Sequence, residues 1–178
     1  NLAASFEALE TRLISMTGST EKASEMMKNF KDIASNTPFA VQDVVEAGVQ
    51  LRDFGFDAEK MIKPVTDLAA FMGTTATEAA SALGRAFAGG AGAADILRER
   101  GILQLIKDSQ GIEDLSKITL PEFRRSLESA LIDPTAGIVG ATDKLSKTTV
   151  GAFSNMTDSL QNLMANFAES SGILEGFV

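Results

Sequence analysis

Apolar residues recur along this chain at helical rather than strand spacing. Leu2, Phe6, Leu9, Leu13 and Met16 are separated by four, three, four and three positions, which lines one stripe along a helix predicted to end near Gly18. Ser19 or Thr20 can cap a second helix bearing Ala23, Met26, Met27, Phe30, Ile33 and Ala34 at the same periodicity. The two make either an antiparallel pair or one rod bent at Gly18. Pro38 cannot continue the second helix and pushes Thr37 out of helical geometry, and it also suits the first turn of a third. Val41, Val44, Val45, Ala47 and Leu51 carry that third helix. Its β-branched residues are poor helix formers, so packing must hold it, which implies burial. Gly55 fits a left-handed stop, with Phe56 folding back onto the last turn.

Asp57 caps the next element, where Met61, Ile62, Val65, Leu68, Ala69 and Met72 precede a further stop at Gly73. Pro64 lies inside that pattern. Either the helix kinks there, or it ends at Lys63 and a fresh helix starts at Pro64, the reading preferred on local grounds. Thr75 and Glu78 form a capping box that opens a helix through Ala79, Leu83 and Phe87. The glycine-rich piece Ala88 to Ala94 follows as a hinge or a close-packing corner. "LRERGI", Leu97 to Ile102, echoes "LRDFGF", Leu51 to Phe56, as one stop motif used twice around Gly101 and Gly55. Ile102 to Ile106 suits a short strand or a helical turn, and the region around Gly111 reads as loop with partial helix. Thr119, Pro121 and Glu122 open a helix through Phe123, Leu127 and Leu131 that stops before Pro134.

The longest regular segment is predicted from about Asp143 to Ser170. Phe153, Met156, Leu160, Leu163 and Phe167 repeat at three, four, three and four, a heptad seam of about two heptads. That seam either packs on the chain's own helices or drives self-association. The expected fold is all-α: a compact bundle of about six to eight helices over residues 1–140, then a long amphipathic helix over 141–178 leading toward a rod or packing back. The stops that shape it are Gly18, Pro38, Gly55, Gly73 and Gly101.

Composition removes much chemistry. The 178 residues include no Cys, His, Trp or Tyr, so a zinc site of the usual nitrogen and sulfur kind, a thiolate nucleophile and an imidazole base are all out of reach. With 24 acidic and 16 basic residues the net charge is −8, which disfavours polyanion binding unless cations gather on one face. Arg98 with Arg100 and Arg124 with Arg125 are diluted by Glu99, Glu122 and Glu128, as solvated helix faces are. The longest uncharged runs are ten residues, Ile33 to Gln42 for example, against about 20 for a membrane-spanning helix. The chain begins at Asn1 rather than Met, without a basic-then-apolar leader, as expected of a segment of a longer chain or a processed one.

Candidate motifs fail on inspection. "GRAFAGGAG" spaces Gly84 and Gly89 like a phosphate loop but has Gly90 and Ala91 where Lys and Ser or Thr are needed. "GAGAAD" lacks the third glycine of a dinucleotide fingerprint. Asp108, Gln110 and Glu113 break the ligand order of a calcium loop. Nothing singles out a catalytic carboxylate pair. The seven Met residues lie on or beside the apolar stripes, as core filling does. No catalytic residue, cofactor or metal site is expected.

"TGSTEKA" (Thr17 to Ala23), "NTPF" (Asn36 to Phe39), "LRDFGF", "DLAAFMG" (Asp67 to Gly73) and "GAFSNMTDSLQNL" (Gly151 to Leu163), in this order and spacing, resemble the core region of tail tape measure proteins from long-tailed bacteriophages and prophages. The sequence departs from that pattern at Ala40, where a capping Ser or Thr is usual, and over Ile102 to Lys117. The resemblance implies a mainly helical structural protein, not an enzyme, that occupies the tail tube lumen, sets tail length during assembly in the host cytoplasm and leaves ahead of the DNA. It further implies contact with other copies of itself, tail tube and tail-tip proteins and assembly chaperones, without a specific nucleic acid. The competing reading is a cellular helical-bundle adaptor that binds a partner helix in a Met-lined groove.

Overall fold

A computed structural model describes residues 2–148. Among them are nine α-helices, two short 3-10 turns and no strand, so the expectation of an all-α bundle is met. α1 (Leu2–Thr17) and α2 (Thr20–Ser35) meet at Gly18, whose φ of +67° is the left-handed stop. They pack face to face, and Lys31 of α2 lies 5.2 Å over the ring of Phe6 of α1. The antiparallel pair is therefore the arrangement found.

α3 (Val41–Asp53) is the central rod and packs against α1, α2, α4 and α5. Its valines could not hold a helix alone. Val44, Val45, Val49 and Leu51 are fully buried, together with Ala47 and Gly48. Gly48 is where α2 comes closest: a Cβ there would stand 2.6 Å from the Phe30 ring, which is itself completely buried. Gly84 plays the same part against the Phe54 ring, at 2.1 Å. Two glycines thus bring α2 and α5 against α3 at a distance that a side chain would forbid.

Pro38 lies in the turn between α2 and α3 rather than in the first turn of α3, because the helix starts three residues later, after Ala40. Ala40 supplies no side-chain cap. Phe39 and Val44, at staple spacing across that start, are both buried instead.

α4 (Ala58–Met72) runs unbroken through Pro64, contrary to the preferred reading of a fresh helix there. Pro64 has no N–H to offer the turn before it, a local cost of about 3 kcal/mol. Met61, Ile62, Val65, Leu68, Ala69 and Met72 are all buried on one face, and burial worth about 1.5–3 kcal/mol for each large side chain outweighs that loss.

α5 (Ala76–Gly89) ends in a 3-10 turn, Gly90–Ala93, with Gly90 buried at φ +71°. The glycine-rich piece is thus the close-packing corner. α6 (Asp95–Glu99), α7 (Ile102–Gln110) and α8 (Leu120–Ile132) form a second layer on α5 and α4. Ile102 to Ile106 is helical, which removes the strand alternative: Ile102, Leu103 and Ile106 lie on one face and are buried. A second 3-10 turn, Pro134–Ala136, leads to α9 (Ala141–Ser146) on α4. One contiguous core runs from Leu9 to Ile138.

The last segment, predicted as a single helix from about Asp143 to Ser170, starts as α9 and closes at Ser146 with Lys147 as its cap. Its remainder, with the seam Phe153, Met156, Leu160, Leu163 and Phe167, lies outside the described residues.

Candidate functional site

Every helix begins with backbone N–H groups and ends with carbonyls that lack partners within the helix. Several of these ends are closed locally. Thr75 and Thr119 form capping boxes with Glu78 and Glu122, and Ser19 and Asp57 cap α2 and α4. Gly55, Gly73 and Gly101 stand at helix ends with φ of +88°, +68° and +76°. The Phe56 N–H returns to the Leu51 carbonyl at 3.0 Å, and its ring is buried 4.2 Å from that of Phe87.

Other ends are closed by side chains from distant helices. Asp43, on α3, accepts the N–H groups of Ala76 and Thr77 at 2.8 and 2.9 Å, and the Thr77 hydroxyl at 2.6 Å. With Thr75 taking the N–H of Glu78, the first turn of α5 is saturated. Asp67, on α4, repeats the device at α9. It accepts the N–H of Gly140 at 3.1 Å, the N–H of Thr142 at 3.0 Å and the Thr142 hydroxyl. Lys63 completes the cluster, donating to Asp67 at 3.2 Å and to the Thr142 oxygen at 2.5 Å.

Carbonyl ends are met by arginines. Arg100 donates to Met72 at the end of α4 (2.9 Å), Arg124 to Phe87 near the end of α5 (2.6 Å), and Arg52 reaches Met16 at the end of α1 (3.5 Å). Arg124 also stacks 4.6 Å from the Phe87 ring centre. Anions at N-termini and cations at C-termini are the signs that the helix dipole favours. These long-range clasps lock the order of the helices, and each is a contact of shape rather than of chemistry.

Asp67 shows how strongly one is held. Burial pushes its carboxyl pKa up, but the hydrogen bonds from Thr142 and Gly140 and the nearby Lys63 charge outweigh that, leaving it below the ordinary value. A buried carboxylate that stays ionised here is a structural anchor. Among the described residues no group of acidic side chains is arranged to hold a metal ion, and no helix is long and apolar enough to cross a membrane.

A family model described as tape measure protein matches residues 1–169. The chain belongs to the tape measure protein family. The family is a structural one, not typically enzymatic, and it makes this chain a phage tail protein located in the virion tail. No curated protein and no solved structure matches significantly. For this tape measure segment, sequence reasoning found the local caps and missed the distant ones. A signal was present: α5 opens with Ala76-Thr77-Glu78 and α9 with Ala141-Thr142-Asp143, and in both the Thr meets an Asp from an earlier helix.

Proposed function

We propose that this segment is the folded head or junction of a tail-length ruler, which lies in the tail tube lumen, sets tail length during assembly and leaves ahead of the DNA at ejection. One observation carries this reading: within the family match, the described residues are turned at intervals so short that they cannot themselves be the measuring rod. Its longest described helices have 16 residues, about 24 Å at about 1.5 Å per residue. A ruler needs long continuous helix, so length is encoded elsewhere in the protein and this bundle marks one end or a joint of it. Its partners in this role are further copies of itself, the tube and tip proteins and assembly chaperones, with no specific nucleic acid.

The test is tail length. In-frame deletions outside the bundle should shorten tails by about 1.5 Å per residue removed, whereas destabilising the bundle should lower tail yield without changing the length of the tails that form. Tails of unchanged length after such deletions would refute the ruler reading. Light scattering of the chain, beside a version truncated before Gly151, asks whether the seam assembles copies. A trimer or hexamer that falls to monomer on truncation supports self-association, and two monomers oppose it.

A further inference from the structure

The two aspartate clasps share their chemistry and differ in what surrounds them. The helix closed by Asp43 is embedded: α5 buries Ala76, Ala79, Ala80, Ala82, Leu83 and Ala86, so its place is set by apolar packing as well as by the cap. The helix closed by Asp67 is not. In α9 the only buried residue is Thr142, a polar one that spends its hydroxyl and its N–H on Asp67. Asp143 and Lys144 are exposed and Leu145 is only half-buried. The Ser146 hydroxyl oxygen is buried with no hydrogen-bond partner among the described residues. Gly140 gives α9 no side-chain cap, and although the Ala141 N–H reaches the Ile138 carbonyl, those of Gly140 and Thr142 depend on Asp67.

We propose that the Asp67–Thr142 clasp is a latch: α9 docks and undocks on α4 as a separate unit while the bundle of α1 to α8 stays folded. Ile138 is fully buried and is the last core residue among those described, and the described residues beyond it are held to α4 by the clasp and by the outlying Asp143–Lys63 pair. Segments with few buried apolar contacts open at far lower free energy than the core they adjoin. The charged groups around the latch are Lys63 on the same helix, Asp143 on α9 at 3.9 Å from Lys63, and Asp32 of α2, which lines a shallow groove with them. The inference goes beyond the ruler reading, since it concerns how α9 is attached to α4 and not what the protein measures.

Amide hydrogen exchange on the 178-residue chain tests it, comparing wild type with Asp67→Asn and Thr142→Val. Exchange at Thr142 to Ser146 is expected to speed up at least tenfold in Asp67→Asn and several-fold in Thr142→Val, while amides of Val45 to Leu51 and of Leu83 keep their wild-type protection. If α9 and the core lose protection together, the two are one cooperative unit and the latch is wrong. Unchanged exchange in α9 overturns it equally. Should Asp67→Asn fail to fold, Thr142→Val decides: it keeps the carboxylate, its volume is close to that of Thr, and its local or global pattern is read in the same way.

Discussion

Replacing Asp43 with Ala removes no core contact, yet it is expected to cost more than losing the cap that the sequence advertises. The carboxylate accepts two backbone N–H groups and one hydroxyl at the start of α5, at 2.6 to 2.9 Å. Thr75 accepts a single N–H, at 3.1 Å and exposed. A hydrogen bond to a charged group contributes about 1.5–3 kcal/mol, and water entering the partly buried site recovers part of what Asp43→Ala loses. About 2–4 kcal/mol is therefore expected, against about 1 kcal/mol for Thr75→Ala. For a chain of this size 1 kcal/mol shifts Tm by roughly 2–4 °C, so the two variants should melt about 6–12 °C and about 3 °C below wild type. Thermal and urea unfolding followed by circular dichroism at 222 nm reads both. If Asp43→Ala melts no lower than Thr75→Ala, the distant cap contributes no more than the local one and the argument from orphan donors fails.

Gly48→Ala sets two effects against each other: Ala gains about 1 kcal/mol of helix propensity, and the new methyl overlaps the immobile Phe30 ring at an overpacking cost of about 1–3 kcal/mol. A net loss of about 1 kcal/mol is expected, largely recovered by trimming Phe30 to Leu in the same chain; a Gly48→Ala variant more stable than wild type would contradict the close approach of α2 to α3. Acid should loosen α9 before neutral-pH conditions ever do. Because the folded-state pKa of Asp67 is depressed, its contribution is complete above the unfolded value of about 3.9 and is lost as pH falls through the lower folded value. Protection factors of the α9 amides, corrected for intrinsic exchange, should hold steady down to about pH 4 and then drop toward those of Asp67→Asn; a drop beginning near neutrality would show that another group governs the helix.

What the sequence made legible has a common physical range. The stops at Gly55 and Gly73, and the boxes at Thr75 and Thr119, close within three to six residues, so the order of residue types announces them. At Pro64 the local proline rule predicts a break, but the force that overrides it is not local: the helix survives through buried contacts that Met61, Ile62 and Val65 make with other helices. Ile102 to Ile106 is ambiguous because four apolar residues in five, broken only by Gln104, are too few to separate the two periods, and burial of one helical face decides between them. Asp43 and Asp67 escaped notice for a different reason. Their partners lie 33 and 75 residues away, and an aspartate inside a helix reads as solvated surface until the partner helix is in place.

α3 has a consequence for how the chain comes into being. Four valines and a glycine in 13 residues leave it about 3 kcal/mol short of an alanine helix in intrinsic preference, so it has no lasting helical form before its neighbours arrive. During synthesis α1, α2 and α3 emerge first, but the Gly84 surface that covers Phe54, and the N-terminus that Asp43 caps, are made only after some thirty further residues. Through that interval the face of a valine-rich stretch that α4 and α5 will cover stands open, the kind of surface that draws nascent chains together. Asp43 and Glu46 sit within it. Charges at such places act as gatekeepers against aggregation, and Asp43 is placed to do so in the unfinished chain before it joins α3 to α5 in the finished one.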